Sequence, residues 1–163
     1  MDRVAIALGS NVGDRRAHLD YAVSKLRVLL TNLIVSPYYD TAPVGVSGPQ
    51  AMFLNAAAVG ETTLTARQLL DALLAIERER GRQRPYVNAP RTLDLDLILQ
   101  GDVVMEEQGL AVPHPRFRGR RFVLEPLAVV APDLRDPVSG KTVGELFSLM
   151  RSADLLVRRF EQA

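Results

Sequence analysis

Apolar positions alternate with small ones at Val4, Ile6 and Leu8, and Gly9-Ser10-Asn11 follows, the pattern of a strand and its exit turn. Asp14 then stands where a helix cap is expected. Behind it Leu19, Ala22, Val23, Leu26, Leu29 and Leu30 recur at the spacing of one buried helical face. Residues from about Leu33 to Tyr39 carry β propensity through Ile34, Val35, Tyr38 and Tyr39 and predict a second strand. The Pro- and Gly-rich run from Thr41 to Gln50 predicts a loop of defined turns. Phe53 to Val59 predicts a third strand. Thr65 with Gln68 three residues later forms a capping box, and Leu69, Leu70, Leu73 and Ile76 continue on one face until Gly81 ends the helix. An Arg-rich loop leads to a fourth strand, Thr92 to Leu99, in which Leu93, Leu95, Leu97 and Leu99 take the core side. Gly101-Asp102 turns the chain into Val103-Val104. Further on, a helix is expected over Leu124 to Val130, and a second capping box, Thr142 with Glu145, opens another.

The order βαββαβ is packed most economically as two helices on one side of a four-stranded antiparallel sheet. The expected fold is therefore α+β, a ferredoxin-like βαββαβ sandwich with C-terminal helical additions. A length of 163 residues, 47% apolar and 24% charged, suits one globular domain over residues 1–163 and excludes a disordered chain. No internal repeat or linker breaks it.

Charge changes the picture by its distribution and not by its sum. The net charge of +1 argues against a protein that binds nucleic acid through bulk charge. Yet Lys25 and Lys141 are the only lysines, and half of the arginines fall between Arg78 and Arg121. Arginine's fixed fork of donors matches phosphate oxygens, so the clustering points to a polyanionic ligand, with solvated loops and helix ends as the alternative. The lack of cysteine excludes disulfides, zinc–thiolate sites and cysteine nucleophiles. With no signal-peptide pattern ahead of the first strand and no membrane-length apolar run, a cytoplasmic protein is expected.

Asp94 and Asp96 are the strongest chemical feature. Two residues apart in a strand, they point to one face with α-carbons roughly 6.6 Å apart. Such a pair can share two hard cations about 3.5–4 Å apart, as phosphoryl-type displacement requires; an acidic strand face is the alternative. Arg82, Arg84 and Arg91 precede the pair in a loop able to carry guanidinium groups over a triphosphate. His114 lies between Pro113 and Pro115 and is followed by Arg116, Arg118, Arg120 and Arg121, a setting that favours phosphate contact over general-base work. His18 receives no role. Phe53 and Asn55 share one strand face, an aromatic surface and a carboxamide suited to a flat heterocycle with amide-like edges.

These segments, read together, resemble a known family. Gly81-Arg82-Gln83-Arg84, then Pro90-Arg91-Thr92-Leu93-Asp94-Leu95-Asp96, then Val112-Pro113-His114-Pro115-Arg116 and Arg120-Arg121-Phe122 are similar to the 6-hydroxymethyl-7,8-dihydropterin pyrophosphokinases. Ala7 to Asn11, Thr41 to Gly45 and Phe53 to Ala57 match in the same order. The resemblance implies a folate-pathway enzyme that transfers pyrophosphate from ATP to the pterin's hydroxymethyl oxygen and releases AMP. It implies two Mg2+ ions on Asp94 and Asp96, with Arg82 and Arg91 assisting transfer. Glu77, Arg84, Arg91, His114 and Arg120 would then attend ATP. Thr41, Pro43, Val44, Phe53, Asn55 and Phe122 would surround the pterin.

Two-metal nucleotidyl transfer, single-stranded RNA binding on a βαββαβ sheet, and a small-ligand regulatory domain are the competing readings. The RNA reading lacks spaced aromatics on the central strands and meets two repelling carboxylates. ATP and the pterin are thus the expected partners, with no nucleic acid or membrane, in a monomer or weak dimer.

Overall fold

The computed structural model describes residues 1–41, 52–81 and 92–150, and the backbone of Val157–Arg159. Its elements in chain order are β1 (Asp2–Ser10), α1 (Arg15–Leu29), β2 (Thr31–Val35), β3 (Tyr39–Thr41), β4 (Phe53–Thr62), α2 (Ala66–Glu79) and β5 (Asp94–Gln100). A hairpin of β6 (Met105–Glu107) and β7 (Leu110–Val112) follows. Then come a 3-10 turn (Phe117–Gly119), α3 (Arg121–Val130), α4 (Val143–Ser148) and β8 (Val157–Arg159).

The main sheet runs β5-β1-β4-β3-β8, with β2 also on β4, and every pairing is antiparallel. Counting β2 and β3 as one interrupted strand gives the ferredoxin-like arrangement expected from βαββαβ. The interruption corrects the expected continuous strand from Leu33 to Tyr39. Pro37 has no N–H to give the ladder, and Ser36 takes over locally. Its N–H donates to Ala57 O at 2.8 Å, while its Oγ accepts from Ala57 N–H at 2.9 Å.

Both expected capping boxes are present, Thr65 with Gln68 on α2 and Thr142 with Glu145 on α4, and the Asp14 side chain accepts from Ala17 N–H at the start of α1. Helices α1 and α2 bury Leu19, Ala22, Leu26, Leu69 and Leu73 against Val4, Ile6, Leu8, Leu54, Leu95 and Leu97 of the sheet. The opposite face carries a second core. There α3 and α4 cover Ala5, Ala57, Val59, Ile98 and Leu99 with Val123, Leu124, Leu127, Val143 and Leu146. Leu99 therefore does not lie with Leu93, Leu95 and Leu97 as its spacing suggests. A register shift between Ala5 and Ile6 leaves Ile98 as the extra residue on β5 and turns Leu99 to the second face. Among the described residues no helix is long and apolar enough to cross a membrane.

Candidate active site

Register determines which side chains share the second face of the sheet. Gly9 on β1 faces Asp94 on β5 and Asn55 on β4, and Asn55 in turn faces Tyr39 on β3. Directly opposed residues project to the same side, so Asp94, Gly9, Asn55 and Tyr39 form one row across four strands. The next row is Asp96, Ala7 and Ala57. Thr41 and Phe53, paired with one another, extend the same face beyond Asn55. Beyond the second row the face closes under α3. Toward the Asp94 row the face continues as a floor of small residues, with half-buried carboxylates at one end and a buried amide and an aromatic ring at the other.

The amide is held in place. Asn55 is buried, and its Nδ2 donates to Thr41 Oγ1 at 2.5 Å. Its Oδ1 is turned toward Gly9, where a β-carbon would stand only 2.9 Å away. Gly9 thus belongs to the site although the sequence places it in an exit turn; β1 in fact continues through Ser10. The signal was present, since a glycine inside a strand marks a close approach.

The edge of β5 opens into a cleft of about 430 Å³, lined by Leu70, Leu74 and Glu77 of α2, by Asp94 and Asp96, and by Gly109 of the hairpin. Both aspartates are half-buried. Among the described residues no third carboxylate or histidine converges with them to complete a cation site. Two hard oxygen donors side by side fit divalent cations whose remaining positions are filled by phosphate oxygens and water, the manner in which Mg2+ is usually held.

His114 stands beside this edge. Its N–H donates to Ile98 O at 2.9 Å, and its Nδ1 accepts from Arg116 N–H at 3.1 Å, which leaves the ring proton on Nε2. Burial pushes the imidazole down from 6.5 to about 4, Arg120 and Arg116 push the same way, and Asp94 opposes them. The ring is neutral at pH 7 and sits between guanidinium groups and a carboxylate. Arg120 also lies over the Phe122 ring at 5.5 Å, and Phe122 packs at the start of α3 against the second core.

The arginines after His114 divide into two kinds. Arg118 grips the fully buried Asp136 with Nε to Oδ2 at 2.5 Å and Nη2 to Oδ1 at 2.9 Å, and Arg121 pairs with Glu125 one turn along α3. Arg118 thus ties the 3-10 turn to the segment after α3 and Arg121 supports α3 itself, while the charges of Arg116 and Arg120 act on His114. His18, which the sequence leaves without a role, accepts from Arg80 Nε at 2.8 Å and ties α1 to the end of α2. Arg15 donates to Asp40 Oδ1 at 2.9 Å and to Met52 O at 2.7 Å, bridging the ends of β3 and β4. Of the expected site residues, Pro43, Val44, Arg82, Arg84 and Arg91 lie outside the described residues.

Similarity to known proteins runs along most of the chain. The family described as 7,8-dihydro-6-hydroxymethylpterin-pyrophosphokinase (HPPK) matches residues 5–132. A Pseudomonas aeruginosa 2-amino-4-hydroxy-6-hydroxymethyldihydropteridine pyrophosphokinase is 43% identical over 150 residues, covering 91% of each chain. The Bacillus subtilis protein of the same name is 45% identical over 133 residues, 80% of this chain and 79% of that one. Among solved structures, a Plasmodium falciparum HPPK-DHPS triple mutant superimposes with a TM-score of 0.72 at 14% identity over 90% of this chain. This chain spans 43% of that larger protein, so the likeness concerns the fold of its corresponding part. With the family match running from β1 to the end of α3, and relatives above 40% identity along most of their length, the chain belongs to the hydroxymethyldihydropterin pyrophosphokinases.

Proposed function

We propose that the end of the sheet carrying Asp94, Gly9 and Asn55 binds ATP and 6-hydroxymethyl-7,8-dihydropterin side by side and that pyrophosphate passes between them there. The single observation that carries this reading is the row in which Asp94, Gly9 and Asn55 face the same way. It sets paired carboxylates and a heterocycle-reading amide on one floor. The hydroxymethyl oxygen attacks the β-phosphorus of ATP, the bond from that phosphorus to the oxygen bridging to the α-phosphorus breaks, and AMP leaves. The pterin hydroxyl loses its proton in the process.

Asp94 and Asp96 would hold Mg2+, two ions in our reading, and the metal when bound supplies neutralisation of the triphosphate charge. The side chains do the rest by positioning. Neutral His114 offers Nε2–H to a phosphate oxygen, and Arg120 next to it adds a permanent charge. Arg82, Arg84 and Arg91 would complete the phosphate contacts. Asn55 presents its Oδ1 to ring N–H groups of the pterin, while Phe53 and Phe122 offer aromatic faces and the backbone around Thr41, Pro43 and Val44 reads the remaining edge. No side chain is needed as a nucleophile, because transfer of this kind depends on alignment and charge stabilisation.

The test is to incubate the protein with ATP, Mg2+ and the pterin and to separate the nucleotide products by chromatography. AMP formed only when pterin is present, and lost in an Asp94→Ala, Asp96→Ala double variant that still folds, is the expected result. ADP would mean transfer of the terminal phosphate alone, and inorganic pyrophosphate would mean nucleotidyl transfer; either would sink the reading.

A further inference from the structure

Asp40 belongs to the face of the sheet that the site does not use. Along β3 it stands between Tyr39 and Thr41 and opposite Leu54, a residue of the first core. Its side chain therefore projects toward α1, while those of Tyr39 and Thr41 project to the face that carries Asp94 and Asn55. Only 14% of that side chain is exposed, and a carboxylate so placed needs a partner. Arg15, the first residue of α1, supplies it from Nη1 at 2.9 Å, and the same nitrogen donates to Met52 O at 2.7 Å.

The two acceptors stand at the point where both strands leave the sheet. Asp40 precedes Thr41, the last residue of β3, and Met52 precedes Phe53, the first residue of β4. Thr41 and Phe53 face one another there, and β3 is only three residues long, so the ladder alone gives this corner little support. Yet the corner carries the groups that read a heterocycle. Thr41 Oγ1 accepts from Asn55 Nδ2 at 2.5 Å and so fixes which way the amide points, and Phe53 shares that face. One guanidinium behind the sheet thus ties down the neighbours of both Thr41 and Phe53.

We propose that the Arg15–Asp40 pair positions the pterin subsite from behind: it holds the corner of β3 and β4 in register, touches no substrate, and acts on the pterin only through Thr41, Asn55 and Phe53. The inference rests on the pyrophosphokinase reading of the site. It makes the effect specific to one substrate, because the carboxylates and His114 that face ATP stand at the other end of the row.

Arg15 interacts beyond these two acceptors, so Asp40 is the residue that isolates the pair. The experiment compares Asp40→Ala, Arg15→Met and the double variant with the unaltered protein, each checked for folding by circular dichroism. The KM values for pterin and for ATP are read from AMP formation, and amide hydrogen exchange is followed over residues 38–41 and 53–56 without substrates. Asp40→Ala is expected to raise the pterin KM at least threefold, to move the ATP KM less than twofold, and to speed exchange in both segments. A smaller rise for the pterin, a larger one for ATP, or unchanged exchange would each overturn the proposal. In the double variant the rise in pterin KM should fall short of the product of the single effects by more than twofold, since both substitutions break one contact. A rise within twofold of that product would mean that Arg15 serves the pterin by another route, which also overturns it. Should either single variant not fold, Asp40→Asn, equal in size and without the charge, decides alone by the same two KM limits. Failure of the functional reading itself would show separately, as no AMP from the unaltered protein.

Discussion

At the scale of single residues, Gly9 shows how little room the floor of the site allows. A methyl group there would meet Asn55 Oδ1 at 2.9 Å, with Phe53 Cδ1 at 3.7 Å behind it. The amide cannot simply swing aside, because its other end is bound to Thr41. Gly9→Ala should cost about 1–3 kcal/mol in a urea titration through overpacking. It should also raise the KM for the pterin by about tenfold, the worth of one displaced hydrogen bond. A normal pterin KM in this variant would remove Asn55 from the reading site. His114 makes a prediction in pH. Its folded value, about 4, lies below the ordinary 6.5, so between those limits the unfolded chain binds more protons than the folded one. The stabilisation is present above about pH 6.5 and is lost as pH falls toward 4. His114→Gln should flatten the stability curve between pH 6.5 and 4, read as denaturation midpoints at half-unit steps. A slope identical to that of the unaltered protein would show that the imidazole is not held neutral.

At the scale of elements, the 3-10 turn and the stretch between α3 and α4 are joined through one buried carboxylate. Burial raises Asp136, but the Arg118 fork, Ser139 Oγ at 2.7 Å and the Val138 N–H at 3.0 Å outweigh it and bring the acid down to about 2. Its contribution is present above about pH 3.8 and disappears as pH falls through 2. Removing the buried carboxylate leaves Arg118, 30% exposed, without its acceptor and breaks the bonds from Ser139 and Val138, so Asp136→Ala should lower unfolding stability by about 2–3 kcal/mol. Because Phe117, Leu124 and Leu127 share the second core, the loss should appear in whole-chain unfolding by guanidinium, at neutral pH and not below pH 2. An unchanged midpoint at neutral pH would show that the pair is decorative. The elements themselves were largely legible beforehand. The caps at Asp14, Thr65 and Thr142 each involve side chains within three residues of their partners, and so can be read from adjacent letters. The hairpin of β6 and β7 and the short β8 were not legible: three-residue strands carry too little alternation to stand out, and pairing alone defines them.

At the scale of the whole molecule, two cores share one sheet, and the candidate site is the end of the second face that carries Asp94, Gly9 and Asn55. The sequence by itself determined the βαββαβ order, because strand and helix periodicities are properties of neighbouring residues. It likewise determined that Asp94 and Asp96 point the same way, since alternation along a strand needs no partner. The matching segments also carried the family in their order along the chain. Only the tertiary structure decided what lies opposite that pair. Gly9 and Asn55 meet Asp94 through the register of three strands distant in sequence, and one extra residue in β5 sends Leu99 to the other core. Tertiary contacts likewise decided what holds Arg118, because Asp136 reaches it across 18 positions that no local pattern connects. Backbone geometry propagates only from residue to neighbour, whereas pairing partners are selected by the packing of the entire chain.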